Sequence, residues 1–452
     1  MPIRFHIPAL TLALCTLAGC HGDVGPTDGD GDGFISQIDC DDTDANVHPF
    51  ATEVPGDGLD NDCDLATDCD DPDLTAPWTG DLGEADLPDF CSGYCARSVT
   101  GSILLDDTSL TDLDALTCLT SVGGDFQILR NSALTSLSGL GSLESVDGSF
   151  SIGEYQCDYT DVWVCEGFGN PALTSLAGLE NLATVGGAFW LADNDALTTA
   201  GMSFDHLVSV GGAELSEGLA IDGHAALTTL PAFPQLTSVG WLEVWGNPSL
   251  TSLDGLDGLT SIADTVSIYD NTSLASLHGL DNVTTVGGVL GVYGDKSGDS
   301  LTSLAGLDSL TTVGAYLEVW DNSALTSLDG LDALTAVGQY VNLINNDALT
   351  SLSGLGGLTT VGLDFNVMDN DGLTTLDGVE ALTDIGRNLQ IMGYQEATAN
   401  DQLTDVTALY GLLAVHQDVT ITGNPMLTNA AAQGLVEEIE FIGGTVTISG
   451  NE

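Results

Sequence analysis

One feature constrains this chain more than any other: a short leucine-rich unit recurs from residue 110 to the end. Blocks of the Leu-Thr-Ser-Leu type begin at Leu110, Leu134, Leu173, Leu197, Leu227, Leu250, Leu274, Leu301, Leu325, Leu349, Leu373, Leu403 and Leu427, most often 24 residues apart. A unit this short cannot bury its apolar side alone, so the copies must stack into a solenoid with a continuous interior. That removes the usual expectation that 452 residues divide into several compact domains.

A representative unit runs Leu325-Thr-Ser-Leu328-Asp-Gly-Leu331-Asp-Ala-Leu334-Thr-Ala-Val337-Gly338, then Tyr340-Val341-Asn342-Leu343-Ile344-Asn345-Asn346. Its first half offers an apolar residue every third position. That is neither helix nor strand period and suits a chain bending around an axis. The second half alternates with period two, which predicts a strand with Val341 and Leu343 inward and Tyr340, Asn342 and Ile344 outward. At about 4.8 Å per coil, thirteen coils would extend roughly 60 Å. Asn recurs at each strand end (Asn131, Asn170, Asn194, Asn247, Asn271, Asn322, Asn346, Asn370, Asn424, Asn451), with Asp295 replacing it once. Stacked Asn side chains can satisfy the backbone of the turns, which makes this column structural.

The outward positions are more suggestive. Trp245, Tyr269, Tyr293, Trp320, Ile344, Met368 and Met392 fall in one register, and Trp241, Tyr316 and Tyr340 in another. Glu243 and Glu318 lie between them. An exposed aromatic patch usually marks a partner, and flat rings suit sugars and protein hot spots alike. The candidate ligand-binding residues are therefore Trp241, Trp245, Tyr269, Tyr293, Tyr316, Trp320 and Tyr340. The repeat LTSLxGLxxLTSVGGxLxIxxN resembles the receptor L domain over nearly all of residues 99–452. That resemblance implies a right-handed parallel β-helix, all-β in class, serving recognition without catalysis. It names no ligand.

A different chemistry occupies residues 28–75. Asp28, Asp30, Asp32, Phe34 (through its carbonyl), Ser36 and Asp39 hold loop positions 1, 3, 5, 7, 9 and 12, with Gly33 at the sharp turn. Hard oxygen ligands in that order match an EF-hand loop and suit Ca²⁺. With no helical segment before it, the loop looks more like the calcium repeats of thrombospondin type 3 or dockerin. Asp39-Cys40-Asp41-Asp42, His48-Pro49 and Asp57-Gly-Leu-Asp60-Asn61-Asp62-Cys63-Asp64 are similar to the MopE-type metal-binding motif of bacterial surface proteins, although Leu65 stands where that family has Gly. The candidate ligands there are Asp57, Asp60, Asp62 and Asp64. Copper is conceivable by the family name. The module lacks Met and has only His48, so oxygen ligation and Ca²⁺ fit better.

Arg4 precedes an apolar run from Ile7 to Leu17, too short for a permanent span, ending in Leu17-Ala18-Gly19-Cys20. This resembles a bacterial lipobox, which implies signal removal (1–19), a diacylglycerol on Cys20 and a tether over 20–27. His21, not Asp, follows Cys20, so the usual sorting rule favours the outer membrane of a Gram-negative cell. Eight cysteines remain after Cys15 and Cys20, an even number that suits disulfides in an exported chain. Cys40 with Cys63 and Cys157 with Cys165 are the expected pairs. Cys69, Cys91, Cys95 and Cys118 stay open.

Charge narrows the function. With 67 acids against 5 Lys plus Arg, the formal charge is −62. Nucleic acid is excluded, because binding it requires cations that displace counterions. Membrane contact is expected only through the lipid anchor. Such self-repulsion calls for cations or a saline habitat. No nucleophile, metallohydrolase or phosphate-loop motif stands out. A lyase would need a cation beside its enolate, and the cations are scattered singly. A hydrolase needs only two carboxylates, so a polysaccharide-degrading β-helix remains the lesser alternative. The expectation is a non-catalytic surface module binding a glycan or protein, with a passive surface-layer rod as the rival. Residues 76–98 should cap the first coil. Residues 429–442 should form a short amphipathic helix in the last.

Overall fold

The computed structural model describes residues 27–52, 54, 57–64, 72–158, 164–198, 202–211, 217–294, 298, 300–393 and 400–452. The signal segment and Cys20 lie outside them. Contacts divide the chain into two units, residues 1–74 and 75–452.

The second unit is nearly all-β, a parallel solenoid of about 14 coils of ~24 residues. One parallel sheet of 15 strands runs from Leu82–Gly83 to Val446–Ser449. Short strands, most of two residues, build further sheets of five and nine, interrupted between Val210 and Ser238. In the long sheet register follows the repeat: Leu317 pairs with Val341, Val341 with Phe365 and Phe365 with Leu389.

The three-residue spacing has a local cause. Leu331 N–H donates to the Leu328 carbonyl (3.2 Å), and Leu334 N–H to that of Leu331 (2.9 Å). The second and third Leu-x-x-Leu steps are thus single turns, while Leu328 N–H bonds the Ser353 carbonyl of the next coil (3.2 Å), and every third side chain faces inward. Leu325, Leu328, Leu331 and Leu334 are fully buried. The glycine in Leu-x-Gly-Leu is doubly required. Gly354 sits at φ 104°, and a Cβ there would lie 2.2 Å from the Leu328 carbonyl oxygen of the coil before. The Thr after the fourth Leu ties coils together, as where Thr335 donates its hydroxyl and its N–H to the Thr311 carbonyl (3.1 and 2.9 Å).

The Asn column is a ladder. Asn346 donates from its amide to the Val319 and Ile344 carbonyls (2.9 and 3.2 Å), and from its backbone to Asn370 Oδ1 (3.0 Å). The residue before most rungs takes positive φ, as at Asp270 (55°), Asp321 (63°) and Asn345 (58°). This explains the recurrent Asp-Asn, Asn-Asn and Gly-Asn pairs. The structure adds two rungs that periodicity misses. Asn400 accepts from Asn370 N–H (3.1 Å), and His224 stands between Asn194 and Asn247. Both follow longer spacings, which hide them from a 24-residue count. Asp295 lies outside the described residues.

Trp78 and the short helix Leu87–Phe90 close the first coil. Arg97 bonds the Phe90 carbonyl (2.8 Å) and lies 3.9 Å from the Tyr94 ring centroid. Cys91 pairs with Cys118, which the sequence left open, and Cys95 is also disulfide-bonded. At the other end the helix is shorter than expected, Asn429–Glu438. Phe441–Ile442 instead adds a strand to the nine-stranded sheet. Backbone pairing explains the change: Phe441 N–H donates to the Leu413 carbonyl (3.0 Å), and Phe441 continues the short-strand row beside Ala414.

The described residues of the first unit hold almost no regular structure. The expected Cys40–Cys63 disulfide is present. Asn61 is buried, and its carbonyl accepts from His48 N–H (2.8 Å) while its Oδ1 accepts from Val54 N–H (2.9 Å). The Phe34 ring stacks on His48 at 4.8 Å.

Candidate metal centre and aromatic face

Asp28, Asp30 and Asp32 each present a carboxylate oxygen, the three within 4.8 Å of one another. The chain wraps around them because Gly31 and Gly33 take φ of 88° and 102°. Gly31 N–H donates to Asp28 Oδ1 (2.6 Å), Asp32 N–H to Asp30 Oδ1 (3.2 Å) and Phe34 N–H to Asp32 Oδ1 (2.7 Å). These turns use one oxygen of Asp30 and one of Asp32 and leave the other over. Asp30 Oδ2, Asp32 Oδ2 and Asp39 Oδ2 are buried without a hydrogen-bond donor, and Asp39 is only 8 % exposed. The Asp30 carboxyl is pushed above its ordinary range, first by desolvation and then by the charges of Asp32, Asp39 and Asp28. Buried, mutually repelling carboxylate oxygens are costly unless a cation shares them. The donor set is all oxygen and fits a hard divalent ion.

The other predicted ligands are placed less uniformly. Ser36 is exposed, with its N–H on the Thr27 carbonyl (3.1 Å). Phe34 is half-buried. Asp60, Asp62 and Asp64 form a second group within 4.8 Å, whereas Asp57 accepts from Leu59 N–H (2.9 Å) and lies outside that group. Asp42 is a connection the loop spacing does not reveal. Its Oδ1 accepts from Gly29 N–H (2.9 Å), binding the first loop to the Asp-Cys-Asp-Asp block. The disulfide joins the residue after Asp39 to the residue between Asp62 and Asp64.

On the solenoid, Trp245, Tyr269, Tyr293, Trp320, Ile344, Met368 and Met392 do stack in one register. They are less open than the sequence suggested. The four aromatics are half-buried, while Ile344 and Met368 are 5 % and 7 % exposed. Rings wider than the coil spacing lean on their neighbours: Trp245 stacks on Tyr269 at 5.4 Å, and Tyr316 meets Tyr340 at 4.9 Å. The glutamates are also engaged. Tyr269 donates its hydroxyl to Glu243 (2.8 Å), Tyr293 donates to Glu318, and Asn342 donates to Glu318 (3.1 Å). Burial, then the bond to Glu318, holds the Tyr293 hydroxyl above its usual range, so it remains a donor.

An antiparallel hairpin, Tyr155–Asp158 with Val164–Gly167, interrupts the repeat here. Cys157 lies opposite Cys165, but their side chains lie outside the described residues. Tyr155 packs 4.7 Å from Trp245 and donates to Asp193 Oδ1 (3.3 Å). Trp190 was not singled out by the sequence because its strand precedes the aromatic run, yet it packs 5.3 Å from Trp241. Beside Trp241, a hollow of about 210 Å³ is lined by Glu243, Asp264, Thr265 and Ser267.

Residues 39–68 match the family model Cu-binding_MopE, described as "Putative metal-binding motif". The match covers the second acidic group and leaves residues 28–38 outside it. No curated protein matches the chain. No solved structure matches it. The residues support metal binding and leave the identity of the metal to chemistry.

Proposed function

We propose that the chain is a non-catalytic surface lipoprotein. It is exported, anchored through a diacylglycerol on Cys20 in the outer membrane of a Gram-negative cell, and binds a glycan or protein through the aromatic face of its solenoid. Calcium orders residues 28–75. The observation that carries the recognition reading is the register-locked run Trp245–Tyr269–Tyr293–Trp320 on one side of the 15-stranded sheet. Aromatic residues concentrated on one face favour binding over a passive rod. Calcium rests on the three donor-less carboxylate oxygens of Asp30, Asp32 and Asp39. These suit an oxygen-seeking ion better than copper.

The test is a glycan and cell-surface protein array probed with the chain, with and without calcium, in native form and with Trp245 and Trp320 both changed to Ala. Loss of a bound ligand in the variant supports recognition. Identical array profiles would favour the rod.

A further inference from the structure

The aromatic face carries two copies of one arrangement. Leu242-Glu243-Val244-Trp245 follows Trp241, and Leu317-Glu318-Val319-Trp320 follows Tyr316. In both strands the Glu lies between two rings on the outward side, since positions two apart share a face. Both glutamates are fixed by a tyrosine hydroxyl from an intervening coil, Tyr269 for Glu243 and Tyr293 for Glu318. Between them Ser267 is small and Gly291 has no side chain of its own, which leaves room for the Tyr293 ring to lie over it on the way to Glu318.

Charge decides what this face can take. The hollow beside Trp241 holds the carboxylates of Glu243 and Asp264. The described cations leave Glu243 and Glu318 without an ion pair: Arg97 bonds backbone carbonyls, Arg130 pairs with Asp106, and Arg387 pairs with Asp364 and lies 5.2 Å over the Tyr340 ring at the end of the face, while Lys296 lies outside the described residues. An anionic ligand is therefore repelled, and a neutral one leaves the two carboxylates uncompensated. An ammonium or guanidinium gains from both the carboxylates and the ring faces. Glu243 and Glu318 are three strand steps apart, Glu243 to Ser267 to Gly291 to Glu318. At 4.7–4.9 Å each that is about 14 Å, which four residues of an extended chain also span while returning side chains to the same face.

Resting on the recognition reading above, we propose that the partner is an extended basic polypeptide segment lying along the solenoid axis. One cationic side chain enters the hollow between Trp241, Glu243 and Asp264. A second, four residues away, sits against Glu318 between Tyr316 and Trp320.

The experiment uses the full chain in calcium and measures anisotropy of labelled Ser/Thr-rich peptides. Each peptide carries two lysines, placed two, four or seven positions apart. The four-residue spacing should bind tightest. Glu243→Gln with Glu318→Gln should weaken it about tenfold, whereas Glu437→Gln with Glu438→Gln, which removes the same charge from an exposed helix, should change it less than about twofold. Gln keeps an acceptor for each tyrosine, so the fold is preserved, and a melting temperature no lower than that of the native chain checks this. Equal affinity for all spacings, or equal loss in both double variants, would overturn the proposal in favour of diffuse attraction. Binding of a neutral β-linked hexasaccharide, lost on Trp241→Ala while no peptide binds, would overturn it and leave the recognition reading standing. If no array ligand or peptide responds to any substitution on this face, both fall.

Discussion

Two buried titratable residues, two positions apart, respond to pH in opposite directions. His224 replaces an Asn rung: its Nε2 reaches the Leu191 carbonyl (2.9 Å), and its Nδ1 accepts from Asn194 N–H (3.2 Å). One donor and one acceptor describe a neutral ring, and burial pushes its pKa down to about 4 against the upward pull of the two carbonyls. The unfolded chain takes up this proton near pH 6.5, so the ring's contribution is full above that value. It falls by roughly 1.4 kcal/mol per pH unit as pH drops toward 4. His224→Asn should restore the rung and flatten the stability profile between pH 6.5 and 4 in urea titrations. Asp222 is 2 % exposed, and burial, then the Glu243 charge, raise its carboxyl well above the ordinary range. Its unfolded form ionises first, so it lowers stability as pH rises. Asp222→Asn, which can still accept from Trp245 N–H, should raise the melting temperature at pH 7 and leave it unchanged near pH 3. Neither residue is legible as special in sequence, because only the coil stacking shows that they are sealed.

At the scale of the element, each coil relies on its Asn rung and the acidic module on its loops. Asn346→Ala strips donors from the Val319 and Ile344 carbonyls and the acceptor used by Asn322 N–H. The expected loss is about 3 kcal/mol, with hydrogen exchange rising first in the neighbouring coils. In the module, Asp39 brings a buried carboxylate oxygen with no donor. Asp39→Asn should therefore raise stability in chelator and lower calcium affinity about tenfold or more, so its melting curves cross those of the native chain as calcium is added. Asp57→Asn should affect calcium far less, since that carboxylate caps Leu59 N–H outside the cluster. Calorimetry on the two variants separates these outcomes.

At the scale of the whole molecule, a formal charge of −62 makes stability a matter of counterions. Sodium chloride should raise the melting temperature by screening. Calcium should raise it further than magnesium at matched ionic strength, and the excess should shrink in Asp39→Asn. That difference separates a built site from a general demand for cations.

Much of this protein is determined by sequence alone. Leu every third residue, Gly in Leu-x-Gly-Leu and Asn after a residue able to hold positive φ dictate a stacked coil, because each acts within a few residues or through a fixed period. The acidic loop is legible for the same reason, as its ligands are spaced along one turn. Tertiary structure alone decided the rest. It paired Cys91 with Cys118, sealed His224 and Asp222, and folded the Tyr155 hairpin onto Trp245. It also turned an open aromatic column into half-buried rings with their glutamates already bonded. These outcomes depend on which side chains meet across coils and on insertions of irregular length, and no local period encodes either.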